Sequence, residues 1–267
     1  MTNKTNNKTT TKKKTATPAQ QAATGQQIET ACRYLKLGYL AEHWPELIRG
    51  GIAKAHGPEQ HLQHCLAAEV ADKQTRAVAR RIRQARFPVT KTIDQFDWNW
   101  PKSINQDQVR HLFGLNFLKE SGNVVFIGSV GLGKTHLASA LGYHACEKNL
   151  RVRFVNTMEM INHLEAASQR AQLTAALKGY LSVDLLLLDE LGYLPIDQRG
   201  ADLLFQVISG RYERGSTIIT TNKAYKDWVK IFNNDGGLTS AVLDRLLHRS
   251  QTITIEGKSY RMKDRID

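Results

Sequence analysis

The sequence predicts an α/β protein, a five-stranded parallel sheet between helices preceded by a small all-α domain. Three observations carry that prediction. Residues 123–137 read as a short β-branched strand, a glycine-rich turn and an alanine- and leucine-rich helix. After them, strand-length apolar runs alternate with helix-length stretches to the end of the chain, as in a parallel sheet with crossover helices. Before residue 88 the apolar residues recur at helical spacing instead, with breaks at Gly50-Gly51, Gly57-Pro58 and Pro88. The expected organisation is a disordered basic tail over 1–26, a helical DNA- or partner-binding domain over 27–88, a linker over 89–106 and the α/β domain over 107–267.

Residues 1 to about 25 are dominated by Thr, Asn, Lys, Gln and Ala, too polar to bury a core. Ile28–Leu40 has the spacing of an amphipathic helix. A second, short helix is expected from near Ala41 or Pro45 to Gly50-Gly51, and a long one from Pro58 to about Arg86. On that long helix Lys73, Arg76, Arg80 and Arg83 share an arc of about 80°, opposite Val78 and Ile82. No acidic residue interrupts 73–86. Such a face suits the phosphates of nucleic acid without reading bases, although a plain solvated face has the same pattern.

Thr90–Pro101 is dense in aromatics. Phe96, Trp98 and Trp100 either seal a joint between domains or wall a nucleotide base. Residues 107–119 read as helix. Then come the strand 123–127, helix 134–148, strand 151–155, helical segments over 157–180, and the buried strand Val183–Glu190. Helix 198–213, strand 216–221, helical segments 224–231 and 239–248, and a last strand 251–256 complete five strands. One strand separates the glycine-loop strand from the acidic strand in sequence. The order therefore suggests that the two are not neighbours, and that 216–221 can lie between them.

Net charge restricts the partners. The chain carries +12, and residues 1–90 hold 15 Lys+Arg against 6 Asp+Glu. The basic excess belongs to the N-terminal third and points to a polyanion, nucleic acid before an anionic membrane surface, with simple solubility as the bland alternative. Three cysteines without a C-x-x-C pair fit reduced thiols in the cytoplasm. His61, His64 and Cys65 lack a second ligand pair at zinc spacing. The N-terminus has no apolar signal region, and no apolar run approaches the ~20 residues that span a bilayer.

The chemistry centres on Gly128-Ser129-Val130-Gly131-Leu132-Gly133-Lys134-Thr135, a complete G-x-x-x-x-G-K-[ST]. Glycines let successive backbone N–H groups converge on one phosphate chain, and the helix start through His136 adds its dipole. Lys134 reaches the β- and γ-phosphates, and the Thr135 hydroxyl suits Mg2+. A leucine strand ends in Asp189-Glu190, 55 residues after Lys134. The first acid suits Mg2+ and the second an attacking water, whereas two buried acids with no such task would be costly. Asn222, after Thr220-Thr221, is a candidate γ-phosphate sensor or else the cap of the next helix. Arg245, preferred over Arg249, is a candidate cation for a neighbouring subunit's γ-phosphate, unless Asp244 pairs with one of them.

Gly128–Thr135, Leu185–Glu190, Thr220–Asn222 and Leu243–Leu246 together resemble the Walker A, Walker B, sensor 1 and arginine-finger elements of AAA+ ATPases. More narrowly, the chain resembles IstB-type helper ATPases of insertion-sequence transposition, relatives of the bacterial helicase loaders. The residues are Tyr34–Leu37, Ile93–Asp97, Asp189–Leu194, Leu243–His248 and Lys258–Arg261, so the resemblance runs from about 27 to the end. It implies an ATP- and Mg2+-dependent protein that multimerises on duplex DNA, supplies an arginine in trans and presents a target to a partner transposase. A replicative helicase loader shares the same core. A small-molecule kinase shares only the phosphate loop, and a nucleotide-gated DNA switch would lack useful turnover. Two departures from the AAA+ pattern stand out. Eleven residues follow Glu256, too few for the expected helical lid; Arg261 is not assigned the lid arginine's role, and Ser129-Val130 replaces Pro-Pro.

Overall fold

Strand β1 (Asn123–Gly128) runs between β4 (Ser216–Thr221) and β5 (Ser250–Ile255), and β4 separates it from β3 (Leu185–Leu191). With β2 (Val152–Asn156) on the far side of β3, the order is β2-β3-β4-β1-β5, and every pairing is parallel. The computed structural model describes residues 17–260. The tail up to residue 16 and Arg261 lie outside the described residues.

The chain forms two compact units that meet inside one helix, between Arg76 and Ala77. The first unit contains α1 (Pro18–Tyr34), α2 (Gly38–Ala53) and the first part of α3 (Pro58–Ala85). Helix α1 begins ten residues before the expected Ile28, so residues 18–26 are helix and not tail. The reason is local: Pro18 takes the first helical position, and the Gln20 side chain accepts from the Thr17 backbone N–H at 3.0 Å. The helix also stops short of Leu40, because Lys36 turns to φ 57°. Helix α2 starts earlier and ends later than expected, with Pro45 inside it.

The second unit starts at Ala77 rather than after Pro88. Ala85 is fully buried in its core, and Ile82, Phe87, Ile93 and Trp98 pack on the same cluster. The expected linker thus belongs to this unit's packing, because its aromatic residues bury apolar area that a free linker would expose. The described part of this unit also contains α4 (Gln106–Leu112), α5 (Asn116–Lys119) and α6 (Lys134–Glu147). They are joined by α7 (Thr157–Gln169), α8 (Leu173–Leu181), α9 (Gln198–Arg211) and α10 (Gly236–Leu247).

The strands alternate sides. Val124, Phe126, Leu185, Leu187 and Ile218 join Leu137 and Leu141 of α6 in one core. Val125, Leu186, Leu188 and Ile219 join residues of α7, α9 and α10 in the other. Burial on both faces explains the unbroken leucine run of β3. All five carboxyl ends therefore open on one edge of the sheet, where ligands of open parallel α/β sheets bind.

Candidate functional site

The turn from β1 into α6 builds the centre of that edge. Gly131 and Gly133 take φ 79° and 85°, in the left-handed region that other residues avoid. At Gly133 space is limiting too, since a Cβ there would lie 2.6 Å from the Phe96 ring. Lys134 is 4% exposed, and its Nζ donates to the Ser129 carbonyl at 2.7 Å, across the loop that carries Gly131 and Leu132.

A hydroxyl network joins the loop to β3 and β4. The Thr135 hydroxyl donates to Asp189 Oδ1 at 2.9 Å, and the Thr220 hydroxyl donates to the same oxygen at 2.5 Å. The Glu190 backbone N–H donates to Thr220 Oγ1 at 3.0 Å, and the Thr157 hydroxyl holds the Asp189 carbonyl at 2.8 Å. Asp189 is thus fixed while only 7% exposed. Glu190 has φ 60°, and its Oε2 accepts from the Asn156 amide at 2.8 Å. The other end of Asn156 accepts from the Met158 N–H at 3.0 Å and caps α7.

Asn222 follows Thr221, which pairs with Ile127 immediately before Gly128. Its Oδ1 is buried and has no hydrogen-bond partner. A buried carbonyl without a donor is costly, which argues against a purely capping role and suits an oxygen meant for a bound water or ligand. The phosphate loop opens on a cavity of about 730 Å3 that also reaches Glu190. Phe96, Trp100, Pro101 and Tyr260 supply its apolar wall. The Trp100 indole is steadied by the Lys258 carbonyl at 2.8 Å and an edge contact with Tyr260. Of the three linker aromatics, Phe96 and Trp100 therefore line the cavity. Trp98 packs on Phe96 and lies under Arg110.

Several expected residues have other positions or partners. His136 points its ring at the linker, where Nε2 donates to the Thr92 carbonyl at 2.8 Å and the ring meets Phe96 edge-on. Burial holds its pKa below the ordinary value, so the neutral ring acts as a tie, while His136 also lines the cavity at the phosphate loop. Arg245 lies on α10, bonded to the Ala241 carbonyl at 2.9 Å and stacked over Phe205 at 5.1 Å. It does not line its own chain's cavity, and among the described residues Asp244 forms no ion pair with it. In the first unit, Lys73 pairs with Glu69 at 3.5 Å, and Arg76 with Asp72 at 2.5 Å and Glu69 at 3.9 Å. Both cations stay half exposed while paired with acids one and two turns earlier on the same helix. In the second unit, Arg80 and Arg83 are exposed and unpaired among the described residues.

Asn156 and Thr157 were not singled out by their sequence, and Thr220 only as part of the stretch Thr220–Asn222, with no bond to Asp189 expected of it. Their signal is position, each at the carboxyl end of a strand or the residue after it, and it becomes legible only once Asn156 is in register with Asp189. For Mg2+ the fit is good: Thr135 and Asp189 offer hard oxygens 2.9 Å apart beside the phosphate loop. Among the described residues no cluster of three or more His, Cys, Asp or Glu could hold a metal unaided. A site of this kind needs phosphate oxygens to complete it.

Comparison with known proteins matches residues 30–267 to the family of IstB-like ATP binding proteins. An insertion sequence IS21 putative ATP-binding protein from Pseudomonas aeruginosa is 38% identical over 90% of this chain and 90% of its own. An insertion sequence IS232 putative ATP-binding protein from Bacillus thuringiensis subsp. berliner is 37% identical over 90% and 95%. Among solved structures, the DnaC helicase loader is 26% identical with a TM-score of 0.52, over 62% of this chain and 96% of that one. The replication initiator DnaA bound to AMPPCP and single-stranded DNA has a TM-score of 0.54 over 67% and 54%, at 22% identity, which is a likeness of fold.

Proposed function

The chain belongs to the family of IstB-like ATP-binding proteins, and from that premise we propose a Mg2+-dependent ATPase that multimerises on duplex DNA and assists a partner transposase in target selection. The observation that carries the proposal is the pair Asp189-Glu190, set against Thr135 on one side and Asn156 on the other. Thr135 and Asp189 would hold Mg2+, which when bound offsets charge on the β- and γ-phosphates. Lys134 orients the γ-phosphate, and Glu190 polarises the attacking water. Asn222 accepts a hydrogen bond from that water at its unpartnered oxygen, and its amide N–H donates to the γ-phosphate. Arg245, turned away from its own site, is available to a neighbouring subunit.

DNA binding is supported by the exposed Arg80 and Arg83 and by the basic N-terminal third. Phosphate contacts of this kind give salt-sensitive affinity with little sequence choice, so low target selectivity is expected. No described helix is long and apolar enough to cross a membrane, and the reading puts the protein's work in the cytoplasm. The likeness to the DnaC helicase loader favours helicase loading as a second reading, over 62% of this chain. The insertion-sequence relatives match far more of it.

Substituting Glu190→Gln separates catalysis from assembly. Turnover should fall by about 100-fold or more, while ATP-dependent assembly on DNA persists. Hydrolysis at the wild-type rate would remove Glu190 from its assigned role.

A further inference from the structure

A second cavity, of about 410 Å3, lies on the other side of Glu190, which lines both. Its wall carries Arg86, Arg153, His163 and Tyr180, together with the carboxylates of Glu159, Asp189 and Glu190. None of the four former residues takes part in the nucleotide chemistry described above.

Arg153 is held firmly in that wall. Its guanidinium lies 3.9 Å from the centroid of the Tyr180 ring, and Nη1 donates to the Gly179 carbonyl at 3.2 Å. A Cβ at residue 179 would fall 2.8 Å from Nη1, so α8 carries glycine where the guanidinium rests on it. Tyr180 is 1% exposed and fixed in turn by a 2.9 Å hydrogen bond with His163 Nδ1. Arg153 Nε is nevertheless buried with no hydrogen-bond partner. Among the described residues no carboxylate pairs with Arg153. A cation so placed, with a donor left over, is arranged for a ligand that the chain itself does not supply.

Arg86 completes the arrangement. It follows α3 in a left-handed conformation, φ 61°, and is exposed. Burial raises the Tyr180 phenol pKa, the charges of Arg153 and Arg86 and a hydrogen bond to Arg153 lower it, and the Glu159 charge raises it, so two cations and one carboxylate face the phenol. Two of the three acids are otherwise engaged, Asp189 with two threonine hydroxyls and Glu190 with Asn156. Glu159 is exposed on α7.

We propose that this cavity receives a backbone phosphate of nucleic acid, held by Arg153 and Arg86 beside Glu190. The planar guanidinium fork matches phosphate oxygens. Arg80 and Arg83 continue the cationic series on the last turns of α3, which suits a repeating polyanion better than a single small anion. This rests on the reading of the chain as a DNA-binding ATPase and deepens it. A phosphate bound beside the Asn156–Glu190 hydrogen bond couples DNA occupancy to hydrolysis.

The test is a titration of the full chain with fluorescent duplex DNA at several salt concentrations, with ATP turnover measured in parallel. Arg153→Gln should weaken binding on every sequence, lower the log–log salt slope by about 0.9 for the lost contact, and abolish stimulation of turnover by DNA. Arg86→Gln, at an exposed position, should change slope and stimulation in the same direction. Thermal midpoints of both variants report folding. Unchanged slopes and stimulation in folded variants, with wild-type binding intact, overturn this site and leave the ATPase reading standing. Failure of the wild-type chain to bind DNA overturns both. Full stimulation by inorganic phosphate alone overturns the backbone assignment in favour of a free anion.

Discussion

Glu190 has a backbone conformation that a glutamate adopts at a cost, and its carboxylate is fixed by one amide, that of Asn156. Asn156→Asp keeps the cap on α7 but sets a second carboxylate against the first. Like charges at that distance favour protonation or displacement of Glu190. Turnover should fall by about tenfold or more with ATP affinity nearly unchanged, read from kcat and KM, while the melting temperature stays close to wild type. At this scale the sequence was most informative where a residue type is tied to one chemistry: Lys134, Thr135, Asp189 and Glu190 all reach the same edge. It was least informative where a residue's task depends on a partner far away in the chain. His136 follows the phosphate loop directly, yet its ring serves the Thr92 carbonyl 44 residues earlier. Lys73 and Arg76 have the spacing of a phosphate stripe, and the same helical geometry also brings Glu69 and Asp72 within ion-pair distance of them.

Among the elements, the turn between β1 and α6 is the most constrained. Gly133→Ala would place a methyl group against the Phe96 ring at a backbone conformation alanine resists. The substitution should cost about 1–3 kcal/mol of stability and abolish ATP binding, measured by thermal unfolding with and without nucleotide. The sheet order was legible in outline, because placing β4 between β1 and β3 follows from the strand count and from where polar tips must converge. Helix starts were less so. Residues 18–26 look like tail by composition, yet glutamine and alanine are good helix formers, and Pro18 supplies a start. Buried arginine was not legible at all. Arg211 is 2% exposed, its pKa lowered to about 10 by burial, and its guanidinium bonds the Tyr180, Val183 and Ser216 carbonyls. It is a staple between the entrances of β3 and β4 that no motif announces.

For the whole molecule, the compact units divide at Arg76/Ala77, within a helix whose apolar spacing runs unbroken across the boundary. A boundary inside a continuous helix leaves no composition change to detect, so sequence placed it at Pro88. The basic excess of the first 90 residues is thereby shared between the units, with Arg80, Arg83 and Arg86 belonging to the second. In the proposed function, ATP and duplex DNA act together to assemble this chain into a hydrolytic complex. The measurement that tests it most directly is particle mass and ATP turnover of the purified protein, with and without duplex DNA and ATP. Mass should grow only when both are present, and DNA should accelerate hydrolysis. A monomer of constant mass, turning over ATP at one rate whether or not DNA is added, would contradict it.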